Sequence, residues 1–402
     1  MGVEPSREPC QDPSVHEHQP VPLRTIAAQW GRIGVTGFGG PPAHIVLFRR
    51  LCVEQRAWLS EHEFEDGIAA TNLLPGPAST QLAIYCAWRL RGWRGSLVGG
   101  LCFIAPGLAL ILCLAAVFLA AHPPRWVLGA AAGAGAAVPA VAVAAAWSLV
   151  PASIGRAGSA RAGRARWLAY LVLGFLAAAT IGALLVLLLV ACGLIEMGIR
   201  TRRRGPAPRS TLSFLPLAAL PVITGGAAAL CWVALKVGAL SYGGGFVIIP
   251  LMQHDAVVTY HWMSGPQFLD AVALGQITPG PVVQTVAVVG YAASGVWGGL
   301  LAAAVAFAPS FAIVLAGGRH LDRLRASERA QAFFVGAGAA VIGAIAGSSI
   351  ALGRQLAEPW QLGLLALAAL WLLALRRGVL SGLLLAGGIG IVAALVGAPL
   401  VS

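Results

Sequence analysis

Six apolar segments, near residues 95–119, 126–149, 213–230, 298–318, 331–352 and 378–400, each approach the ~20 residues that a membrane-spanning helix requires. Short polar loops separate them, and residues 167–199 fit either two short helices or one long bent helix. Two stretches break the pattern. ATNLLPGPASTQ (70–81) and ALGQITPGPVVQT (273–285) set Pro-Gly-Pro inside surroundings apolar enough to be membrane helix. Composition agrees with the pattern: 58% of residues are hydrophobic, 10% are charged, and the mean hydropathy is +0.80, far from a soluble domain. The pattern predicts an all-α polytopic membrane protein with the lipid bilayer as its solvent.

The chain also repeats itself. At an offset of 204 positions, Gly34, Phe38, Gly39 and Gly40 meet Gly238, Tyr242, Gly243 and Gly244. Trp58, Phe64 and Asp66 then meet Trp262, Phe268 and Asp270, and Pro75-Gly76-Pro77 meets Pro279-Gly280-Pro281. Trp93 and Gly95 align with Trp297 and Gly299, and GAGAAV (133–138) aligns with GAGAAV (336–341) after one residue is dropped. These matches predict two homologous helical repeats, each containing a helix-break-helix element. The expected layout is a polar tail over 1–24, a first repeat over 25–200, a basic linker over 201–212 and a second repeat over 213–402. The tail is Pro-rich and acidic, with no apolar core after a basic start, so it is not read as a cleavable signal.

A net charge of +12 raises the question of nucleic acid, but the basic residues lie in blocks between apolar segments, such as Arg156, Arg161, Arg164 and Arg166, and RTRRRGPAPR (200–209). They read as cytoplasmic anchors, not as a nucleic-acid surface. RLRGWRG (89–95) is basic where AASGVWGG (292–299) is not, and RHLDRLRASER (319–329) is arginine-rich where AAHPPRW (120–126) is not. Alternation of this kind predicts that the repeats are inverted, with loops 89–95, 150–166, 200–212 and 319–330 cytoplasmic. The seven cysteines (10, 52, 86, 102, 113, 192 and 231) form no CxxC and predict neither a disulfide frame nor a metal site.

The breaks carry the candidate chemistry. Ser60 with Glu63, and Ser264 with Gln267, have capping-box spacing, so each starts a helix of about 14 residues that stops before the proline. Pro77 and Pro281 suit the first turn of the helix that follows, whose opening amides carry about half a positive charge. Unpaired amides at membrane depth are costly unless they line a cavity or bind something, and their natural ligand is an anion. The predicted binding set is Gly76, Pro75, Pro77, Ser79, Thr80, Gln81 and Asn72 in the first repeat, and Gln276, Thr278, Pro279, Gly280, Pro281, Gln284 and Thr285 in the second. Gly39, Gly40, Gly243 and Gly244 join it as either cavity-lining or close-packing glycines. Arg32 and Lys236 correspond under the repeat and are candidates for counter-charge, with interfacial anchoring as the alternative. Asp66 and Asp270 are candidates for proton exchange. His44 has no counterpart and reads as structural.

FGGPPAHIVLFRR (38–50), WLSEHEFEDGIAATNLLPGPASTQLAIY (58–85), RGWRG (91–95), FIAPG (103–107), YGGGFVIIPLM (242–252) and QITPGPVVQTVAVVGY (276–291) resemble the paired signatures of the chromate ion transporter family in its long, two-domain form. The resemblance covers both repeats and is weak over 1–28, 155–210 and 352–402. It implies export of chromate, a tetrahedral dianion, across the bacterial inner membrane, and hence chromate resistance. Cys86-Ala87 stands where such proteins more usually carry glycine after the tyrosine. Sulfate shares the charge and shape of chromate, so a site built of helix N-termini and hydroxyls is expected to accept both. A secondary transporter needs no cofactor, and a homodimer is compatible with everything above.

Two other classes compete. A polytopic membrane enzyme needs a catalytic constellation, and His44, His62, His122, His254, His261 and His320 are scattered, with no HExxH. An ion channel using the same breaks differs from a transporter in showing conductance without saturable uptake.

Overall fold

A computed structural model of the chain describes residues 21–71, 74, 76–120, 122–180, 185–202, 225–241, 248–317 and 327–400, and their regular structure is helical throughout. In the first repeat, α1 (Leu23–Thr36) leads to α2 (Gly40–Arg49), a π-helical turn (Arg50–Gln55) and α3 (Glu61–Thr71). After the first break come α4 (Ala78–Phe118), α5 (Arg125–Ala157), α6 (Arg161–Thr180) and α7 (Leu185–Arg202), so the 167–199 region is two helices. The second repeat has α8 (Gly226–Leu240), α9 (Ile248–Gln253), a π-helical turn (His254–Thr259) and α10 (Gly265–Ile277). A 3₁₀ turn (Val282–Gln284) then opens α11 (Thr285–Gly317), followed by α12 (Glu328–Gly353), α13 (Pro359–Ala369) and α14 (Val379–Leu395). The π-turns at Arg50–Gln55 and His254–Thr259 fall at the 204 offset, and a third, Leu370–Ala374, follows α13.

Local chemistry starts and stops these helices as the sequence suggests. Ser264 and Gln267 form a complete capping box at α10, and the Ser60 and Glu63 side chains make the matching reciprocal bonds at α3. Pro77 and Pro281 sit at the position before the first helical residue, one place earlier than expected, in extended backbone with φ −69° and −70°. Four stretches, Ala78–Phe118, Arg125–Ala157, Val282–Gly317 and Glu328–Gly353, are long and apolar enough to cross a membrane. The expected apolar segment at 213–230 lies largely outside the described residues.

α4 and α11 are each a hairpin of two limbs. The bend uses the same pair of dihedrals in both repeats, Arg91 (φ −150°, ψ 23°) with Gly92 (φ 60°, ψ −149°) and Ser294 (φ −156°, ψ 31°) with Gly295 (φ 64°, ψ −156°). A Cβ on Gly95 would lie 2.2 Å from the Ala87 carbonyl oxygen, and one on Gly298 2.2 Å from that of Gly290, so the antiparallel limbs touch through small residues. This corrects the register read from Trp93 and Trp297. Beyond the break the offset is 203, because Ala78-Ser79-Thr80 precedes Gln81 where Val282-Val283 precedes Gln284, and the shorter connection winds as a 3₁₀ turn. Gly95 therefore corresponds to Gly298, not Gly299.

The interior is built on the two GAGAAV helices. α5 and α12 pack against each other, α5 also takes α13 and α14, and α12 takes α6 and α7, so the repeats interleave. Small residues permit this closeness: a Cβ on Gly343 would lie 1.8 Å from the Leu171 carbonyl oxygen, and one on Gly390 2.1 Å from that of Gly129. Around this pair, α1 packs on α4 and α8 on α11, while α4 and α11 meet along a seam that contains both breaks.

Candidate functional site

The two breaks are joined by reciprocal bonds. The Gly76 N–H donates to the Ser241 carbonyl at 3.0 Å, and the Gly280 N–H donates to the Gly37 carbonyl at 3.0 Å. Each repeat thus ties its break to the end of the first helix of the other repeat. Both glycines have positive φ, +128° at Gly76 and +101° at Gly280, a conformation that glycine adopts freely and that a side chain resists.

Polar groups gather here. Among the described residues, the buried side-chain atoms with no protein hydrogen-bond partner include His44 Nδ1, Thr80 Oγ1, Ser241 Oγ, Gln276 Nε2, Gln284 Oε1 and Ser310 Oγ. Thr80 and Gln284 flank the two breaks, Ser241 supplies the carbonyl that holds Gly76, and Gln276 precedes the second break. Ser310 Oγ is 3.0 Å from where a Cβ on Gly76 would sit, beside the Gln81 amide nitrogen at 2.4 Å. His44 packs its ring on Phe103 and bonds the Gly37 carbonyl at 2.9 Å, the same oxygen that receives Gly280. Its role at the second break was not visible in a residue lacking a repeat counterpart.

Of the residues expected to bind, Gly76, Pro77, Ser79, Thr80 and Gln81 form the first break and the opening turn of α4, with all three polar side chains buried. Gln276, Thr278, Pro279, Gly280, Pro281, Gln284 and Thr285 form the second, but several are already engaged. Thr278 bonds the Leu274 carbonyl at 3.0 Å, Thr285 that of Val282 at 2.9 Å, and the Gln284 amide donates to the Ile104 carbonyl at 2.9 Å. Gly39 is the left-handed residue before α2, and Gly40 lies against Val282, so this glycine turn rests on the second break. Asn72, Pro75, Gly243 and Gly244 lie outside the described residues.

The charged candidates differ in exposure and in partners. Arg32 is exposed and, among the described residues, its side chain makes no ion pair. Lys236 is bonded to Asp255 at 2.6 Å and lies over the Trp232 ring at 5.5 Å. Asp66 pairs with His62 at 3.0 Å on the helix surface. Asp270 is buried on α10 against Gly135 of α5, with no hydrogen-bond partner among the described residues. No group of three or more metal-ligating side chains occurs among the described residues.

A cleft of about 580 Å³, lined by Trp88, Arg89, Gly92, Trp93, Leu315 and Ala316, opens between the first limb of α4 and the end of α11.

The chromate transporter family model matches residues 24–197 and 228–395. The chain is 31% identical over 393 residues to a chromate transport protein of Cupriavidus metallidurans, covering 94% of this chain and 95% of the relative. It is 31% identical over 356 residues to a chromate transport protein of Pseudomonas aeruginosa, covering 84% and 83%, and 29% identical over 373 residues to a probable chromate transport protein of Synechococcus elongatus, covering 90% and 93%. No solved structure matches the chain. Two family matches in tandem, one per repeat, over a helical and strongly apolar chain make this multi-pass membrane protein a member of the chromate transporter family.

Proposed function

We propose that the protein is a secondary transporter that exports chromate across the bacterial inner membrane and thereby confers chromate resistance, without catalysing a reaction. The observation that carries this reading is the gathering of unbonded buried polar atoms at two helix breaks that hydrogen-bond to each other's repeat. Buried polar groups are rarely left without partners, so these atoms are open to water or to a ligand. Helix N-termini and hydroxyls donate, so the ligand is an anion.

Helix directions support an inverted repeat. Ser310 lies at Gly76, while Leu315 and Ala316 line a cleft with Trp88, Gly92 and Trp93, so the second limb of α11 runs parallel to the first limb of α4. The two limbs of α11 are antiparallel, so equivalent limbs of the repeats run in opposite directions. The arginine-bearing loop 89–95 lies at the cleft, and the positive-inside rule makes that side cytoplasmic. Eight residues of helix, about 12 Å, separate Gln81 from Arg89, a distance that supports reading the cleft as the cytoplasmic approach to the site.

Voltage alone supplies enough drive. A dianion crossing 100 mV releases about 4.6 kcal/mol, at ~2.3 kcal/mol per charge, so an obligatory proton is unnecessary. The test is uptake of labelled chromate into inverted vesicles, with sulfate and molybdate as competitors. Saturable uptake that chromate analogues compete for supports the reading, and conductance without saturation replaces it with a channel. A second reading, transport of sulfate or another oxyanion, is favoured by the same hydroxyl and amide donors, which match any tetrahedral dianion; stronger uptake of sulfate than of chromate would select it.

A further inference from the structure

The two breaks share a backbone frame but differ in chemistry. A hydroxyl in an apolar helix normally bonds a carbonyl three or four residues back. Thr71, Thr278, Thr285 and Ser348 do so, at 2.9, 3.0, 2.9 and 2.7 Å. Thr80, Ser241 and Ser310 do not, although each has no exposed surface. All three belong to the first break. Ser241 holds Gly76 through its carbonyl, Ser310 Oγ abuts Gly76, and Thr80 lies in the first turn of α4, where side chains lean back toward the helix start.

Their counterparts carry no hydroxyl. Ser241 corresponds to Gly37, Ser310 to Gly107 and Thr80 to Val283. At the second break the space is filled: a Cβ on Gly107 would lie 2.1 Å from the Pro279 carbonyl oxygen, and the Gln284 amide is already bonded to Ile104. The first break keeps three unbonded hydroxyls, whereas the unbonded atoms at the second are amide atoms of Gln276 and Gln284, and both of its threonine hydroxyls are bonded to backbone carbonyls.

We propose that the transporter has one asymmetric anion site, at the first break, in which the hydroxyls of Thr80, Ser241 and Ser310 and the opening amides of α4 hold a tetrahedral oxyanion, while the second break braces the site. This rests on the oxyanion-transport reading. Ser310 and Ser241 come from the second repeat, so the site is complete only when both repeats meet. The donors are neutral, in keeping with an exposed Arg32 and a Lys236 already bonded to Asp255. Because the hydroxyls are sealed from solvent, entry requires the α4–α11 seam to part.

The experiment compares Ser310→Ala, Ser310→Gly, Thr80→Val and Ser241→Ala with the wild type in inverted vesicles. Ser148→Ala, which removes an exposed hydroxyl from α5, is the control. Loss of one hydrogen bond to a charged ligand is expected to raise the apparent KM for chromate about tenfold to a hundredfold, with Vmax changed much less. Protection of the purified protein against heating by sulfate or molybdate is expected to weaken in the same variants. Should one variant fail to reach the membrane, the others read the same site. Unchanged KM and unchanged protection in all of them, beside an active wild type, overturn the single-site assignment and leave oxyanion transport standing. A wild type that takes up no oxyanion overturns both.

Discussion

Replacing Gly76 with alanine tests the first break most sharply. Gly76 has φ +128°, where a side chain is strained by about 1–3 kcal/mol. The new Cβ also meets Ser310 Oγ at 3.0 Å and the Gln81 amide nitrogen at 2.4 Å. The Gln81 amide is the end of a flexible side chain and can swing aside, so crowding adds only the low end of the overpacking range, about 1 kcal/mol. The total is about 2–4 kcal/mol. Gly280→Ala carries similar backbone strain, at φ +101°, but its nearest contact is 3.2 Å, so its cost stays near 1–3 kcal/mol. The assay heats the purified proteins in detergent and measures the monodisperse fraction alongside chromate uptake. Gly76→Ala should be the less stable of the two and should lose at least tenfold in uptake, because it displaces Ser310. If Gly76→Ala matches the wild type in both, or Gly280→Ala is the worse, the reasoning about the first break is wrong.

Further outcomes follow from other contacts. Lys236→Gln strands the buried Asp255 carboxylate, so it should lower heat stability, and adding Asp255→Asn should restore part of the loss; a double mutant no better than the single refutes the pairing. Glu196, 2% exposed, accepts bonds from Arg166 and Arg200 at 2.8 and 2.7 Å, and because the two arginines are partly exposed and can turn to solvent, Glu196→Ala should destabilise the α6–α7 pair by about 1–3 kcal/mol, read by heating in detergent. With a lumen-positive potential clamped by potassium and valinomycin at equal pH, chromate uptake into inverted vesicles should proceed, and Asp270→Asn should not abolish it. Uptake driven only by a pH gradient, and lost in Asp270→Asn, would make that carboxylate a coupling group.

Much of the frame was legible because duplication leaves two copies of each signal. The capping boxes, the breaks and the first helix of each repeat all follow from the 204 offset, and the apolar runs locate α5, α12 and α14. The one-residue slip to 203 was harder to place, since Trp93 and Trp297 happen to agree at the wrong offset while the shortening lies in the turn after Pro281. Repeat logic also grouped Arg32 with Lys236, whereas Lys236 pairs with Asp255, whose counterpart is the apolar Leu51. Ser241 and Ser310 were invisible for a physical reason. A lone serine in an apolar helix ordinarily satisfies itself on its own backbone, and only the fold reveals that these two do not.

The most direct test of where the anion binds is a crystal structure of the protein with selenate, a tetrahedral dianion whose selenium scatters anomalously. A single anomalous peak within hydrogen-bond distance of Thr80, Ser241 and Ser310 is the predicted result. A peak beside Lys236 or Arg32, or two equal peaks at the two breaks, would contradict the account.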